Sequence, residues 1–185
     1  MDQRHLVERA QQGDHDAFGV LVRGVVARLD AAARLILRDP ELARDAVQDG
    51  LLRGWRHLPG LRDPDSFDGW IRALVVHSCL DAIRRRRRRA IEVELTPIDV
   101  MAEVDIATVI VDRDQLDEAL RKLDPEWRAI VVMHYFLGMP LPDIAETLGI
   151  PLGTTKSRLH RSLALMRAAL ENDPISASVG REQFA

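Results

Sequence analysis

The chain has 185 residues, 46% hydrophobic, 30% charged and only 4% aromatic, with a formal net charge of −3, enough for one ordinary domain or two small ones. No apolar run approaches the roughly 20 residues that cross a bilayer, and Met1-Asp-Gln-Arg-His5 opens into a polar helix without a signal-peptide core, so a cytoplasmic protein with no membrane insertion is expected. Cys79 is the only cysteine, which excludes an internal disulfide and a cysteine-rich zinc site.

Apolar residues recur at three- and four-residue spacing, and alternating runs are almost absent outside the middle of the chain, so the fold class is all-α. Helices are predicted near residues 2–12, 15–37, 40–57, 66–88, 112–122, 125–137, 142–148 and 152–171. Asp39-Pro40 and Asp124-Pro125 mark two starts, because the Asp can accept from exposed backbone N–H groups and Pro fits the first turn without losing a hydrogen bond. Ser66 is a third candidate cap. Residues 90–111 contain Pro97 and five acids in no helical register and read as an acidic linker between two small helical domains, 1–89 and 112–171. Residues 172–185, with Pro174 and Gly180, read as a flexible tail. Charge follows the same division: 17 Arg against 13 acids in 1–89, 3 basic residues against 9 acids in 90–123, and 6 against 7 in 124–185. The negative total therefore arises in the middle, and the flanking blocks are free to present basic faces.

In Glu41–Trp55 the predicted buried stripe is Leu42, Ala43, Ala46, Val47, Leu51 and Trp55. Outside it lie Asp45, Gln48, Asp49, Leu52 and Arg53; a leucine amid acids and an amide reads as a docking strip for another protein. In the next helix Phe67, Ile71, Leu74, Val75, Ser78 and Ala82 share the inward face, while Arg72 and His77 project elsewhere. That helix runs into six consecutive arginines, Arg84 to Arg89. A charge run that continues an amphipathic helix reads as phosphate-binding in preference to a merely solvated face.

The sharpest local pattern spans Pro142 to Arg161. Ala145 permits close helix approach and Gly149, four residues later, suits a left-handed helix end, so a tight turn delivers a second helix. There Leu159, Leu163, Met166 and Leu170 share one face, joined by Thr155. The opposite face carries Thr154, Ser157 and Arg161, flanked by Lys156, Arg158 and His160. An apolar back behind a cationic, hydrogen-bonding front is a helix-turn-helix suited to major-groove reading.

Leu141 to Arg161, with Gly153-Thr-Thr-Lys-Ser-Arg158 at its centre, resembles the promoter −35 recognition motif of extracytoplasmic-function (ECF) sigma factors, and Leu123 to Ile130 resembles the helix before it. Glu41 to Trp55 is similar to the family's helix that binds the clamp helices of the large polymerase subunit, which implies contact roles for Asp45, Gln48, Asp49 and Leu52. Phe67 to Arg86 resembles the element that recognises and opens the −10 region, which implies DNA-facing roles for Trp70, Arg72, His77, Asp81, Arg84 and Arg85. Trp70 reads equally as a core tryptophan. Three positions depart from the family: Thr155 replaces a common valine, Pro140 a capping serine and His77 an asparagine. The last puts base preference in question, because imidazole and carboxamide present different donors and acceptors.

The resemblance implies an alternative sigma factor whose partners are core RNA polymerase, duplex −35 and melted −10 promoter DNA, and a separate anti-sigma factor, since the tail is too short for a fused inhibitory domain. A stand-alone helix-turn-helix regulator is the alternative, but it leaves the docking strip and the arginine-ended helix unexplained. Catalysis is not expected, nor a cofactor or metal. Histidines 5, 15, 57, 77, 134 and 160 show no metal-ligand spacing, and there is neither a phosphate-cradling Gly-rich loop nor a nucleophile motif.

Overall fold

The computed structural model describes residues 2–92 and 111–171, and for residues 90–92 and 111–114 the backbone alone. The expected linker, apart from its first residues and its last, and the expected tail lie outside the described residues. The described part forms two units, one before and one after the linker. All of its regular elements are helical.

The first unit comprises α1 (Gln3–Gln11), α2 (His15–Leu37), α3 (Pro40–His57) and α4 (Phe67–Glu92), with short 3₁₀ turns at Leu58–Gly60 and Pro64–Ser66. Asp14 caps α2, accepting the Ala17 N–H at 3.0 Å and the Arg9 guanidinium at 2.6 Å, and these bonds hold its carboxyl below the usual 3.8. Asp39 caps α3 through the Glu41 and Leu42 N–H groups at 3.1 and 3.0 Å, with Pro40 in the first turn as the sequence predicts. Ser66, expected as a cap, donates its hydroxyl to Asp63 at 2.6 Å, which together with the Asp65 N–H lowers the Asp63 carboxyl. Arg38, with φ 55°, turns the chain out of α2.

Helix α4 is the centre of this unit, packed against α2 and α3. Phe67, Ile71, Val75, Ser78 and Ala82 are buried as predicted, and Val76, Cys79, Leu80 and Ile83 are buried too, so the apolar arc is wider than one stripe. Burial pushes the Cys79 thiol up to about 12, leaving it neutral and unreactive. The α3 stripe is rotated from its prediction: Ala43, Ala46, Val47, Gly50 and Gly54 are buried, whereas Leu51 and Trp55 are only half-buried. The reason is the closeness of α3 to α4. A Cβ on Gly50 would lie 2.7 Å from the Val75 Cα, and one on Gly54 2.5 Å from the Ile71 Cδ1. Only a residue without a side chain admits that approach.

The second unit comprises α5 (Val111–Arg121), α6 (Pro125–Val131), α7 (Leu141–Leu148) and α8 (Leu152–Glu171). Asp124 accepts the Glu126 N–H at 2.9 Å to start α6. The single helix predicted over 125–137 instead widens into a π turn at Val132–Phe136, closed by Leu137 N–H to the Val132 carbonyl at 3.0 Å. Gly138, at φ 71°, then reverses the chain, and His134 Nδ1 donates to the Met139 carbonyl at 3.0 Å. Ile130, Met133, Leu137 and Ile144 are fully buried, each contributing about 1.5–3 kcal/mol of apolar transfer.

Candidate nucleic-acid interface

In the second unit the site is a helix-turn-helix. Gly149 is left-handed at φ 63°, and Ile150 N–H reaches back to the Ala145 carbonyl at 3.1 Å, so the orphan carbonyls of α7 are satisfied as the chain turns into α8. Pro140 provides no side-chain cap to α7, in keeping with its departure from serine. Thr155, Leu159, Ser162 and Met166 are the buried side of α8, with Leu163 and Leu170 at its margin. Thr155 is fully buried, and its hydroxyl donates to the Pro151 carbonyl at 3.3 Å; that bond offsets the polarity gained by replacing valine. Ser162, absent from the predicted stripe, solves the same problem by donating to the Arg158 carbonyl at 2.8 Å.

Lys156, Ser157, His160 and Arg161 are exposed on the other side of α8, and Thr154 and Arg158 are half-buried beside them. Arg158 is engaged 3.7 Å from Glu126 of α6, which steadies the helix against its neighbour and dilutes that cation. Lys156 and Arg161 carry the exposed positive charge.

In the first unit the predicted docking residues fall together. Asp45, Gln48 and Leu52 are exposed, Leu52 at 47%, and Asp49 is half-buried. Beside them runs an apolar groove of about 620 Å³ between α2 and α3, lined by Phe18, Val26, Val47, Leu51, Leu52 and Trp55 among others. The sequence reading missed the α2 wall. Half-exposed Phe18 and Val26 look like core residues on paper, and only the α2–α3 spacing leaves them open.

The predicted DNA-facing residues of α4 lie along one length of helix. Trp70 is half-buried, its ring 6.1 Å from Phe67, which meets Phe18 edge-on at 6.5 Å; Phe18 in turn contacts Trp55 at 5.2 Å. Trp70 is thus packed on one part of its ring and accessible on another. Arg72 lies 3.7 Å from Asp68, and His77 is half-buried. Arg84 to Arg89 are all exposed and all helical. Six successive residues cover more than a full turn at about 100° each, so this end of α4 is cationic on every side.

Asp49 and Asp81 are tied to each other. Arg53 Nη2 lies 3.0 Å from Asp49 Oδ2, and Arg53 Nη1 donates to Asp81 Oδ2 at 3.1 Å. Ser78 donates to the same Asp49 oxygen at 3.2 Å, and Arg84 Nη1 sits 3.5 Å from Asp81 Oδ1. Nothing in a local window of sequence links Arg53 to Asp81, 28 residues away. Among the described residues no group of His, Cys, Asp and Glu could hold a metal ion, and no helix is long and apolar enough to cross a membrane.

A compact helical unit with an arginine-ended helix, followed by a separate helix-turn-helix unit, defines the structural class. Residues 19–89 match the model of sigma-70 region 2, and residues 113–166 that of sigma-70 region 4. The RNA polymerase sigma-E factor of Streptomyces avermitilis is 32% identical over 147 residues, covering 79% of this chain and 80% of that protein. The ECF RNA polymerase sigma factor SigM of Mycobacterium tuberculosis is 34% identical over 161 residues, 85% of this chain and 79% of that one. Among solved structures, CnrH in complex with the cytosolic domain of CnrY superimposes with a TM-score of 0.67 at 27% identity, covering 92% of this chain and 98% of that one. The sigma factor RpoE, co-crystallised with the anti-sigma factor NepR from Bartonella quintana, gives 0.73 at 22% identity over 84% and 98% of the two chains, a likeness of fold. The chain belongs to the ECF family of RNA polymerase sigma factors. It is a transcription-initiation factor, and the region 2 match accounts for the part that a stand-alone regulator leaves unexplained.

Proposed function

We propose that residues 1–89 dock on core RNA polymerase and open the −10 region, that residues 112–171 read duplex −35 DNA, and that the acidic stretch 90–111 joins them through the enzyme. In this reading Asp45, Gln48, Asp49 and Leu52 form the docking strip, with the α2–α3 groove extending its apolar area. Trp70, Arg72, His77, Arg84 and Arg85 face the melting strand, Trp70 offering a ring for an unstacked base while the arginines follow the backbone. Asp81 belongs to the same face. Thr154, Lys156, Ser157, Arg158, His160 and Arg161 face the major groove, and the chemistry of RNA synthesis belongs to polymerase.

The observation that carries the reading is the two-sidedness of α8: a closed stripe of Thr155, Leu159, Ser162 and Met166 behind exposed Lys156, Ser157, His160 and Arg161. The six exposed arginines ending α4 support its other half. The chain would act in the cytoplasm, and a separate anti-sigma protein would cover its polymerase-binding surface, a reading supported by RpoE, a sigma factor of the same fold, in its complex with the anti-sigma factor NepR. Run-off transcription with purified core polymerase and a promoter library tests the whole reading. Transcripts from a defined subset of promoters are the expected result; core polymerase that starts no differently with and without the protein would overturn it.

A further inference from the structure

We infer that Arg53 is a positioning residue that couples the docking strip to the DNA-opening helix by keeping Arg84 available for phosphate. This rests on the functional reading above and goes beyond it to a residue that reading does not use. Arg53 spans two helices with separate nitrogens, Nη2 on Asp49 of α3 at 3.0 Å and Nη1 on Asp81 of α4 at 3.1 Å. A planar fork can make both contacts at once; a single ammonium cannot do so in the same geometry. The spacing is held by the Gly50–Val75 approach, so the two carboxylates cannot drift apart without separating the helices.

The result is a line of alternating charge, Asp49, Arg53, Asp81, Arg84, running from the docking strip to the first arginine of the basic end. Arg53 and Asp81 are each about one-third exposed, so their attraction is less screened than that of a surface pair. Asp81 is a carboxylate on the face meant for phosphates, which would repel DNA if left bare. It also competes with DNA for Arg84, held at 3.5 Å. Arg53 answers both problems: by neutralising Asp81 it loosens the hold on Arg84. Arg53 and Ser78 both meet Asp49 at Oδ2. A polymerase cation that pairs with Asp49 draws it from Arg53, concentrates the Arg53 charge on Asp81 and releases Arg84 as the enzyme engages.

The test uses full-length protein in holoenzyme at saturating core polymerase, with opening read as permanganate reactivity of −10 thymines. Arg53→Met should lower open-complex formation roughly three- to tenfold, because Asp81 then falls wholly to Arg84. Arg53→Lys should lie between, and serves as the folded substitute should the Met variant unfold. The decisive arm repeats Arg53→Met on an Asp81→Asn background, where it should change opening by less than about twofold because no carboxylate remains to hold Arg84; a purely structural role for Arg53 predicts the same loss on both backgrounds. Undiminished opening in Arg53→Met, or an equal loss on the wild-type and Asp81→Asn backgrounds, overturns the coupling. Arg84→Ala separates the two levels: if it opens the promoter normally, the assignment of Arg84 to phosphate fails, and if it is defective while Arg53→Met costs the same on both backgrounds, only the Arg53 coupling fails.

Discussion

Gly50→Ala adds a single carbon where α3 lies directly against the α4 backbone. The new Cβ would meet the Val75 Cα and Cγ2 at 2.7 Å and the Val75 N at 3.1 Å. Reaching an ordinary contact of 3.4 Å from 2.7 Å demands a shift of about 0.7 Å, and because backbone atoms are in the way no rotamer can supply it. Overpacking of that kind costs about 2–3 kcal/mol, against which alanine's better helix propensity returns about 1 kcal/mol. A net loss of about 1–2 kcal/mol should lower the melting temperature of this unit by about 5–10 °C. Two other glycines calibrate the effect. On Gly54 the obstruction is the far end of the Ile71 side chain, which can turn away, so Gly54→Ala should cost less. Gly24 has open space around its Cβ position, and Gly24→Ala should raise the melting temperature by a few degrees. Thermal unfolding by circular dichroism reads all three, and a Gly50→Ala protein as stable as Gly24→Ala would refute the close-approach argument.

Replacing Asp49 with Asn and Leu52 with Ser together should abolish holoenzyme formation in gel filtration while helical content is retained; co-elution with core polymerase would remove the docking assignment. Lys156→Ala with Arg161→Ala should weaken binding to −35 duplex and make the dependence of log K on log salt shallower by about 2, as measured by fluorescence anisotropy across a salt series. An unchanged slope would assign both cations to solvent. Asp14→Ala should destabilise the first unit at neutral pH. Because the folded carboxyl lies below its usual 3.8, this stabilisation is present above that pH and is lost as pH falls through the folded value, so wild type and variant should converge in acid. A stability gap that does not narrow as the pH falls below 3.8 would contradict the ionised cap.

Much of this architecture is local and was legible in the sequence. Asp39-Pro40 and Asp124-Pro125 start α3 and α6, Gly149 ends α7, and the spacing of Thr155, Leu159 and Met166 orients α8, because caps and periodicity depend on residues within a turn or two of each other. The family resemblance was carried by the same short segments. What only the tertiary structure decided concerns distance between segments. Hydropathy treats Gly50 as neutral, yet the packing of α3 on α4 leaves no room for a Cβ there and turns Leu51 and Trp55 partly outward. Arg53 and Asp81 have no mutual signature in the chain; they meet because two helices that leave no room for a Cβ bring their edges within hydrogen-bonding reach. Segment identity follows from neighbours along the chain, whereas pairing across 28 residues follows from how the finished helices pack.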